Sequence, residues 1–406
     1  MTGGNDFIAS IDIGTDKIAV LVAEKEDDNL RLIGHSIGPS VGVRKGHVSS
    51  ISSLSRAISK TVKEANKSFN GEIALVRANL SDTHLTCIDR NGRIPINQIV
   101  EKADVDKVLE AARAITTPTN KEVLHVINKK FILDETLVIE NPVEMEASVL
   151  ESEVHIVTVS SSSLKHIEKS LEQSDLSVDI IVLDSIANSQ ALLTQEDKDA
   201  GVCLLDLGAG VTNFSVFLQG GIVYSSVIPV GGNDITQEVV FAFDTSFEEA
   251  QRLKEQYGCA KASIVRGEHL VEFVQATNKD PHQLSNLTLS EVVEEAYVDI
   301  LSLVKNVLKH RNLEGSLKAG FVLCGGGAEI AGCEDLVRSF FSRRVKKGVV
   351  QRSMVSGLES IIGDYRYSGA IGLLLHNEDV PQKTLVKTKG KVGIVRKMRN
   401  ILIGEF

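Results

Sequence analysis

The chain has 406 residues, of which 43% are apolar and 24% charged, and a formal net charge of −10. This length suggests two to four domains or subdomains, the composition excludes global disorder, and the negative charge argues against nucleic acid as a partner. No apolar run reaches the roughly 18 residues of a spanning helix, and the opening MTGGNDFIASIDIG has neither the basic nor the apolar region of a secretory signal.

In chain order, FIASIDIGTDKIAVLV (7–22) has an apolar run ending in Asp12, then an apolar residue, Gly14, a short polar stretch and a second apolar run. It reads as a β-hairpin. Leu54, Ile58, Val62, Ala65 and Phe69 share one helical face, and EIALVRANL (72–80) is a strand. Val105, Val108, Leu109, Ala112 and Ile115 stripe a further helix. EVHIVTVS (153–160) is a strand, Leu164, Ile167 and Leu171 line the helix after it, and VDIIVL (178–183) is a buried strand that leads into a helix from about Ser185.

VCLLDLGAGVTNFSVFL (202–218) then repeats the first hairpin, with Asp206 placed 194 residues after Asp12. Ser246 with Glu249 and Thr288 with Glu291 are capping boxes, and the apolar stripe from Leu289 to Val307 marks a long core helix. AGFVLC (319–324) is a strand, followed by Gly325, Gly326 and Gly327 and a helix from about Ala328 to Phe341. A last helix covers about Tyr367 to Leu375. The recurrence at half the chain length predicts a duplicated α/β fold with a ligand cleft between its halves.

Many chemistries are excluded. There is no G-x-x-x-x-G-K-[ST], no H-E-x-x-H among the ten histidines and no G-x-S-x-G. Gly208-Ala209-Gly210 starts like a dinucleotide fingerprint, but the third glycine is missing and a strand follows. Cys87, Cys203, Cys259, Cys324 and Cys333 are scattered and odd in number, which points to a cytosolic chain without a disulfide framework or zinc site.

The glycines and aspartates suit phosphate. Gly14-Thr15 and Gly208-Ala209-Gly210 offer backbone N–H groups with little side chain in the way, and Thr15 and Thr212 offer hydroxyls. Asp12 and Asp206 beside phosphates make sense only with Mg²⁺ or its waters between them. Each glycine cluster alone is more simply a tight turn; the three in order favour a nucleotide.

The C-terminus is a separate unit. Its last 26 residues hold seven Lys and Arg against Glu405, a formal +6, so the other 380 carry −16. Residues 377–391 read as a flexible linker. From Val392 onward, Val392, Val395, Met398, Leu402 and Phe406 lie on a broad apolar arc with Arg396, Lys397 and Arg399 around it. This is the pattern of a helix lying in an anionic membrane surface; a core-packing helix is the alternative.

The order of two hairpins and a triple glycine resembles the nucleotide-binding fold of actin, Hsp70 and sugar kinases. The stretch VLHVINKKFILDETLVIENPVEMEASVLESEVHIVT (123–158) is similar to the L-H-x-I-P…I-x-N-P-x-G…H-[IL]-[IV]-T segment of the bacterial cell-division actin FtsA. GGNDIT (231–236) and AQRLKEQYGCA (250–260) are similar to that family's G-G-N-x-[IV]-T and A-E-x-[IL]-K-x-x-x-G. The resemblance spans essentially the whole chain.

The resemblance implies an actin-like fold of duplicated RNase H-like domains. Subdomain 1A would be 1–81 and 161–197, with an inserted α+β subdomain 1C at 82–160. Subdomain 2A would be 198–240 and 312–376, 2B would be 241–311, and an amphipathic helix would follow at 392–406. ATP or ADP with Mg²⁺ would lie between the halves, against Asp12, Gly14, Thr15, Lys17, Asp206, Gly208, Ala209, Gly210, Thr212, Gln251, Lys254, Gly325, Gly326 and Gly327. The metal would stand near Asp12 and Asp206, directly or through water. Members of the family polymerise and tether FtsZ filaments to the cytoplasmic face of the inner membrane at the division site. The C-terminal peptide of FtsZ would dock on 2B, and later division proteins would be recruited, here through 1C.

The chain departs from the family pattern at Ala209 and Val211 (usually Gly and Thr), Gln251 (usually Glu), Asn128 (Pro) and Glu144 (Gly). No residue stands out as a base for ATP hydrolysis, so turnover is at most weak. A small-molecule kinase or a chaperone-type ATPase of the same superfamily is the alternative. The first has no use for a basic amphipathic tail, and the second needs a peptide-binding domain for which too little chain remains.

Overall fold

The computed structural model describes residues 7–26, 29–114, 118–277, 279 and 281–376. Ile115, the expected linker 377–391 and the expected helix 392–406, with Val392, Val395, Arg396, Lys397, Met398, Arg399, Leu402 and Phe406, lie outside the described residues.

The chain opens with three antiparallel strands, β1 (Phe7–Ile13), β2 (Lys17–Glu26) and β3 (Asn29–Pro39). Two short strands, β4 (Val43–Arg44) and β5 (His47–Val48), form a small hairpin before α1 (Ile51–Phe69). Ser50 caps α1 by accepting from the Ser53 amide, and Asn70 ends it in the left-handed conformation. Its buried stripe of Leu54, Ile58, Val62 and Ala65 seats it on the sheet. β6 (Leu75–Leu80) then adds parallel to β1.

A lobe is inserted here: β7 (Thr86–Ile99), α2 (Lys102–Arg113), β8 (Lys121–Leu133), β9 (Leu137–Ile139) and β10 (Glu146–Ser160). Its sheet runs β7-β10-β8-β9, all antiparallel, and α2 covers it around Val108, Leu133 and Leu150. The neck is held by Asp82, fully buried, whose carboxylate accepts from the His84 amide at 2.9 Å and the Ser160 amide at 2.6 Å. Leu124, Ile127, Val157 and Val159 at the lobe's base belong to the core of the first sheet.

The first half is completed by α3 (Ser161–Glu172), β11 (Ser177–Leu183) and α4 (Asp184–Leu192), and α5 (Gln195–Ala200) leads on. The second half repeats the plan with β12 (Val202–Leu207), β13 (Thr212–Leu218) and β14 (Gly221–Ile228). α6 (Gly232–Phe243), α7 (Phe247–Tyr257), β15 (Leu270–Val274) and β16 (Pro281–Ser285) precede the long α8 (Asn286–His310). β17 (Gly320–Cys324), α9 (Cys333–Phe341), β18 (Val345–Lys347), β19 (Val355–Ser356), α10 (Glu359–Ile362) and α11 (Ser368–Leu375) close the chain's described part.

The sheets run β11-β6-β1-β2-β3-β19 and β18-β17-β12-β13-β14. Apart from β19 the orders correspond strand for strand, with the same three antiparallel strands and two parallel additions. The duplication expected from the two hairpins is the architecture. α4, which follows the first sheet, packs on β12 and β13 of the second, while α11 packs on β1, β2 and β6 of the first. The two helices cross so closely that a Cβ on Gly372 would stand 1.9 Å from the Ala187 carbonyl oxygen.

Several local expectations change. α8 starts at Asn286 with Ser285 as its cap, so Thr288 lies inside the helix rather than at its start. The cause is upstream: Asn286 and His269 exchange hydrogen bonds that fix the chain as it leaves β16. Ser246 does cap α7, but the Glu249 carboxylate turns to Arg252 instead of completing the box. The helix expected over 328–341 breaks after a 3-10 turn at Gly326–Glu329, with Ile330 extended and Gly332 left-handed before α9. Two expected boundaries, 197/198 and 240/241, fall inside α5 and α6.

Candidate functional site

Between the two sheets lies a cavity of about 710 Å³. Two hairpin turns face it. The β1–β2 turn spans Gly14 to Lys17, with the Gly14 amide donating to the Lys17 carbonyl at 2.9 Å. The β12–β13 turn spans Gly208 to Val211, with the Gly208 amide donating to the Val211 carbonyl at 3.0 Å. A Cβ on Gly14 or Gly208 would press on those carbonyl oxygens at 3.1 and 2.8 Å, so both turns need glycine at the same place. The tips meet: a Cβ on Gly210 would lie 2.6 Å from the Thr15 hydroxyl. α6 braces the second turn, its Gly232 and Asn233 amides donating to the Gly208 and Ala209 carbonyls.

Behind the turns stand three buried carboxylates. Asp12 ends β1, Asp206 sits near the end of β12, and Asp184 follows β11. Asn79 donates to Asp12 at 2.8 Å and to Asp184 at 3.2 Å, and Asn213 donates to Asp184 at 3.1 Å and Asp206 at 3.3 Å. Ser81 also donates to Asp184, and Asn188 donates to Asp206. Lys17 is the cation in the described residues that pairs with the group, 3.5 Å from Asp12, and it also donates to the Arg366 carbonyl. Burial pushes the Asp206 carboxyl up to about 6, with Asp12 adding to it. Burial, Asp206 and Asp12 together hold Asp184 well above the usual carboxylate range.

The cavity's far wall comes from α7 and the triple glycine. Lys254 is 5% exposed and donates to the Gly232 carbonyl, the Thr236 hydroxyl and the Gln251 side-chain oxygen. Burial lowers its ammonium to about 8. The Gln251 oxygen accepts from Thr236 as well, and its amide nitrogen donates to Glu255. Of the three glycines, only Gly326 would place a Cβ in open space. Gly325 has φ +82 and lies against Asp206, and Gly327 lies against Leu207. Two of the three are thus glycines for the fold's own reasons, not to admit a flat ligand.

All the expected ligand-binding residues line this cavity except Thr212. Thr212 is fully buried and spends its hydroxyl on the Val230 carbonyl at 2.8 Å, so it does not replace the hydroxyl absent at Val211. Asp184, Asn79, Ser81, Asn188 and Asn213 were not singled out in the sequence. Asp184 had a visible signal, an aspartate closing a buried strand as Asp12 does. The polar partners had none, because they converge from β6 and its end, α4 and β13, which lie far apart in the chain.

The donor set fits a phosphate chain with a hard cation. Three carboxylates facing one ammonium carry excess negative charge that a divalent ion would offset. Among the described residues no group of three or more His, Cys, Asp and Glu is arranged to grip a bare metal. An Mg²⁺ ion that keeps its waters and shares phosphate oxygens would supply the offsetting charge, with Asp12 and Asp206 holding those waters.

Comparisons with known proteins agree with this geometry. The family described as Cell division protein FtsA matches residues 203–372, and the SHS2 domain inserted in FTSA matches 83–158. The Cell division protein FtsA of Pseudomonas aeruginosa is 32% identical over 372 residues, covering 91% of this chain and 89% of that one. That of Escherichia coli K12 is 31% identical over 382 residues, covering 92% and 90%. Among solved structures, the PilM-PilN type IV pilus biogenesis complex aligns with TM-score 0.64 at 16% identity, covering 91% of this chain and 97% of that one. MreB5 of Spiroplasma citri bound to ADP gives 0.57 at 12% identity, covering 92% and 97%. The MamK double helical filament gives 0.54 at 13% identity, covering 91% and 99%. These structures show the fold to be actin-like, the family model makes the inserted lobe an SHS2 domain, and the sequence relatives show that this chain belongs to the cell division protein FtsA family.

Proposed function

We propose that the chain is an ATP-binding, Mg²⁺-dependent actin-like protein of cell division that polymerises and tethers FtsZ filaments to the cytoplasmic face of the membrane. The observation that carries the nucleotide is the pair of identical glycine turns meeting over one cavity, each backed by a buried aspartate. In this reading the Gly14–Lys17 and Gly208–Val211 turns hold the phosphates. Asp12 and Asp206 hold the waters of Mg²⁺, which would offset the charge of both. Gln251 and Lys254 flank the ribose, and Gly326 faces the adenosine. Hydrolysis is not required; the nucleotide acts by holding the two halves together.

The division into 1A, 1C, 2A and 2B is part of the proposal, with the two limits that fall inside α5 and α6 placed at the ends of those helices. FtsZ docking on 2B and recruitment of later division proteins through 1C belong to it too. Self-assembly is supported by the likeness to a protein solved as a double helical filament. Among the described residues no helix is long and apolar enough to cross a membrane, so attachment is assigned to the C-terminal segment. Gly326→Glu tests the nucleotide. A Cβ at this position meets no other atom within 4 Å and Gly326 lines the cavity, so the fold should tolerate the change while the carboxylate enters the cavity. The expected result is loss of at least about tenfold in ATP affinity by titration calorimetry at unchanged melting temperature. A folded variant that binds like the parent would refute the assignment.

A further inference from the structure

The small β4–β5 hairpin has no role in the site so far described, yet it reaches both turns, the start of α6 and the neck of the inserted lobe. Its root is tied to the first turn, where the Ser40 amide donates to the Asp16 carbonyl at 2.9 Å. Its loop is closed by the Ser49 and Ser50 amides on the Gly42 carbonyl. Its tip crosses to the other half. A Cβ on Gly46 would lie 3.2 Å from the Val211 side chain, and the Lys45 ammonium pairs with Asp234 at the start of α6, 3.0 Å away. Its far leg reaches the neck of the inserted lobe, where His47 Nε2 lies 2.6 Å from the Thr83 hydroxyl and its ring lies 5.7 Å from that of His84.

The tip backbone sharpens the point. Lys45 (φ 47) and Gly46 (φ 75) are both left-handed, as a two-residue hairpin turn with the twist of its strands requires. Asn or Gly takes the first of these positions readily, whereas lysine rarely does. A strained residue held beside a cleft points to a use for its side chain, and here the ammonium makes an ion pair that joins the hairpin to the second half. The departure at Val211 fits the same picture, since its methyl groups supply an apolar seat for Gly46 where the family usually carries a hydroxyl.

We propose that the 42–50 hairpin is a strap that closes the turn end of the cleft when the halves come together and carries that closure to the neck of the inserted lobe. The gating part rests on the nucleotide reading; the strap between the halves does not. Closure would shield the bound phosphates from water and slow nucleotide release, and the His47 contact would let the lobe sense the state of the cleft.

Lys45→Asn is the test, because it removes the ammonium and puts in a residue better suited to the turn, so any loosening reports the lost ion pair. Asp234 is left alone, since it also accepts from the Gly231 amide in the α6 capping box. In the full-length chain without nucleotide, hydrogen exchange of amides 42–50 and of the first turn of α6 should quicken about threefold to tenfold. Release of a fluorescent ATP analogue should quicken about threefold to fivefold at low salt, and the gap should narrow as salt screens the parent's ion pair. His47→Ala should quicken exchange at 83–86. Equal exchange of 42–50 in parent and Lys45→Asn would overturn the strap, whether or not the chain binds nucleotide. Quickened exchange with unchanged release would overturn the gating and leave the nucleotide reading standing. Quickened exchange in a parent that binds no nucleotide would support the strap while sinking the nucleotide reading.

Discussion

Asp206 sits in a cluster whose charge is not balanced by the protein alone. Its carboxyl is raised to about 6 in the fold, above the value of about 3.9 for an unfolded chain. The folded state therefore binds this proton more tightly. The group favours folding most at low pH, and its contribution is lost as pH rises from about 4 through about 6. A divalent cation competes with the same proton. The affinity for Mg²⁺ with ATP should consequently fall by about tenfold per pH unit below about pH 6, and binding near pH 6 should release a proton. Titration calorimetry in two buffers of different ionisation enthalpy measures both. A flat affinity profile between about pH 5 and 7 would remove Asp206 from the cation's surroundings. The Asp-apolar-Gly repeat made Asp12 and Asp206 legible, because two hairpins at half-chain spacing share one pattern. Asp184 escaped notice because it opens a helix and has no glycine turn beside it. Thr212 misled because a hydroxyl next to the turn looks available until the Val230 carbonyl is found to hold it.

At the scale of elements, the inserted lobe is less separate than an excisable unit would be. Leu150 is buried in the lobe's own small core with Val108 and Phe131, whereas Leu124 at its base is buried among residues of the first sheet. His125 beside it accepts from the Leu183 amide at 2.8 Å, which ties β8 to the end of β11. Leu124→Ala should therefore lower the stability of the main unfolding transition by about 2–5 kcal/mol. Leu150→Ala should instead loosen hydrogen exchange mainly within residues 86–150. Denaturant unfolding and exchange mass spectrometry on both variants distinguish the cases, and equal local effects would show that the lobe folds apart from the first sheet. The sequence carried the strands and helices well where apolar periodicity was long, as in α1 and α8. It failed at ends fixed by contacts distant in the chain: Ser285 caps α8 because His269 holds Asn286, and the break before α9 follows from Gly332 in a left-handed turn.

For the whole molecule, the two halves have the same strand order, and α4 and α11 pack against each other between the two sheets beside the cavity. α11 also fixes where the tail begins. Arg77 donates to the Leu374 and His376 carbonyls at 3.2 and 2.6 Å, which anchors the last described residue to the first sheet. The 30 residues beyond it carry the expected linker and amphipathic segment. Eight apolar side chains there, Ile394, Ile401 and Ile403 besides the five of the arc named above, would contribute about 4–8 kcal/mol if partly buried in a bilayer surface. Basic neighbours would add about 1 kcal/mol each, and ordering the segment costs about 1 kcal/mol per residue, so a single tail holds weakly. A filament presents many tails from fixed roots, and each bound tail raises the effective concentration of the next. Attachment should thus require both the tail and assembly. Removing residues 391–406 should abolish liposome pelleting and spare ATP binding, and Val395→Glu or Leu402→Glu should do nearly the same. Raised salt should weaken pelleting without eliminating it, since only the basic part is screened. A variant that cannot polymerise but keeps its tail should pellet at least about tenfold less at equal concentration. If that monomer pellets like the parent, the tail suffices alone; if the truncated chain still pellets with lipid, the terminal helix is not the tether.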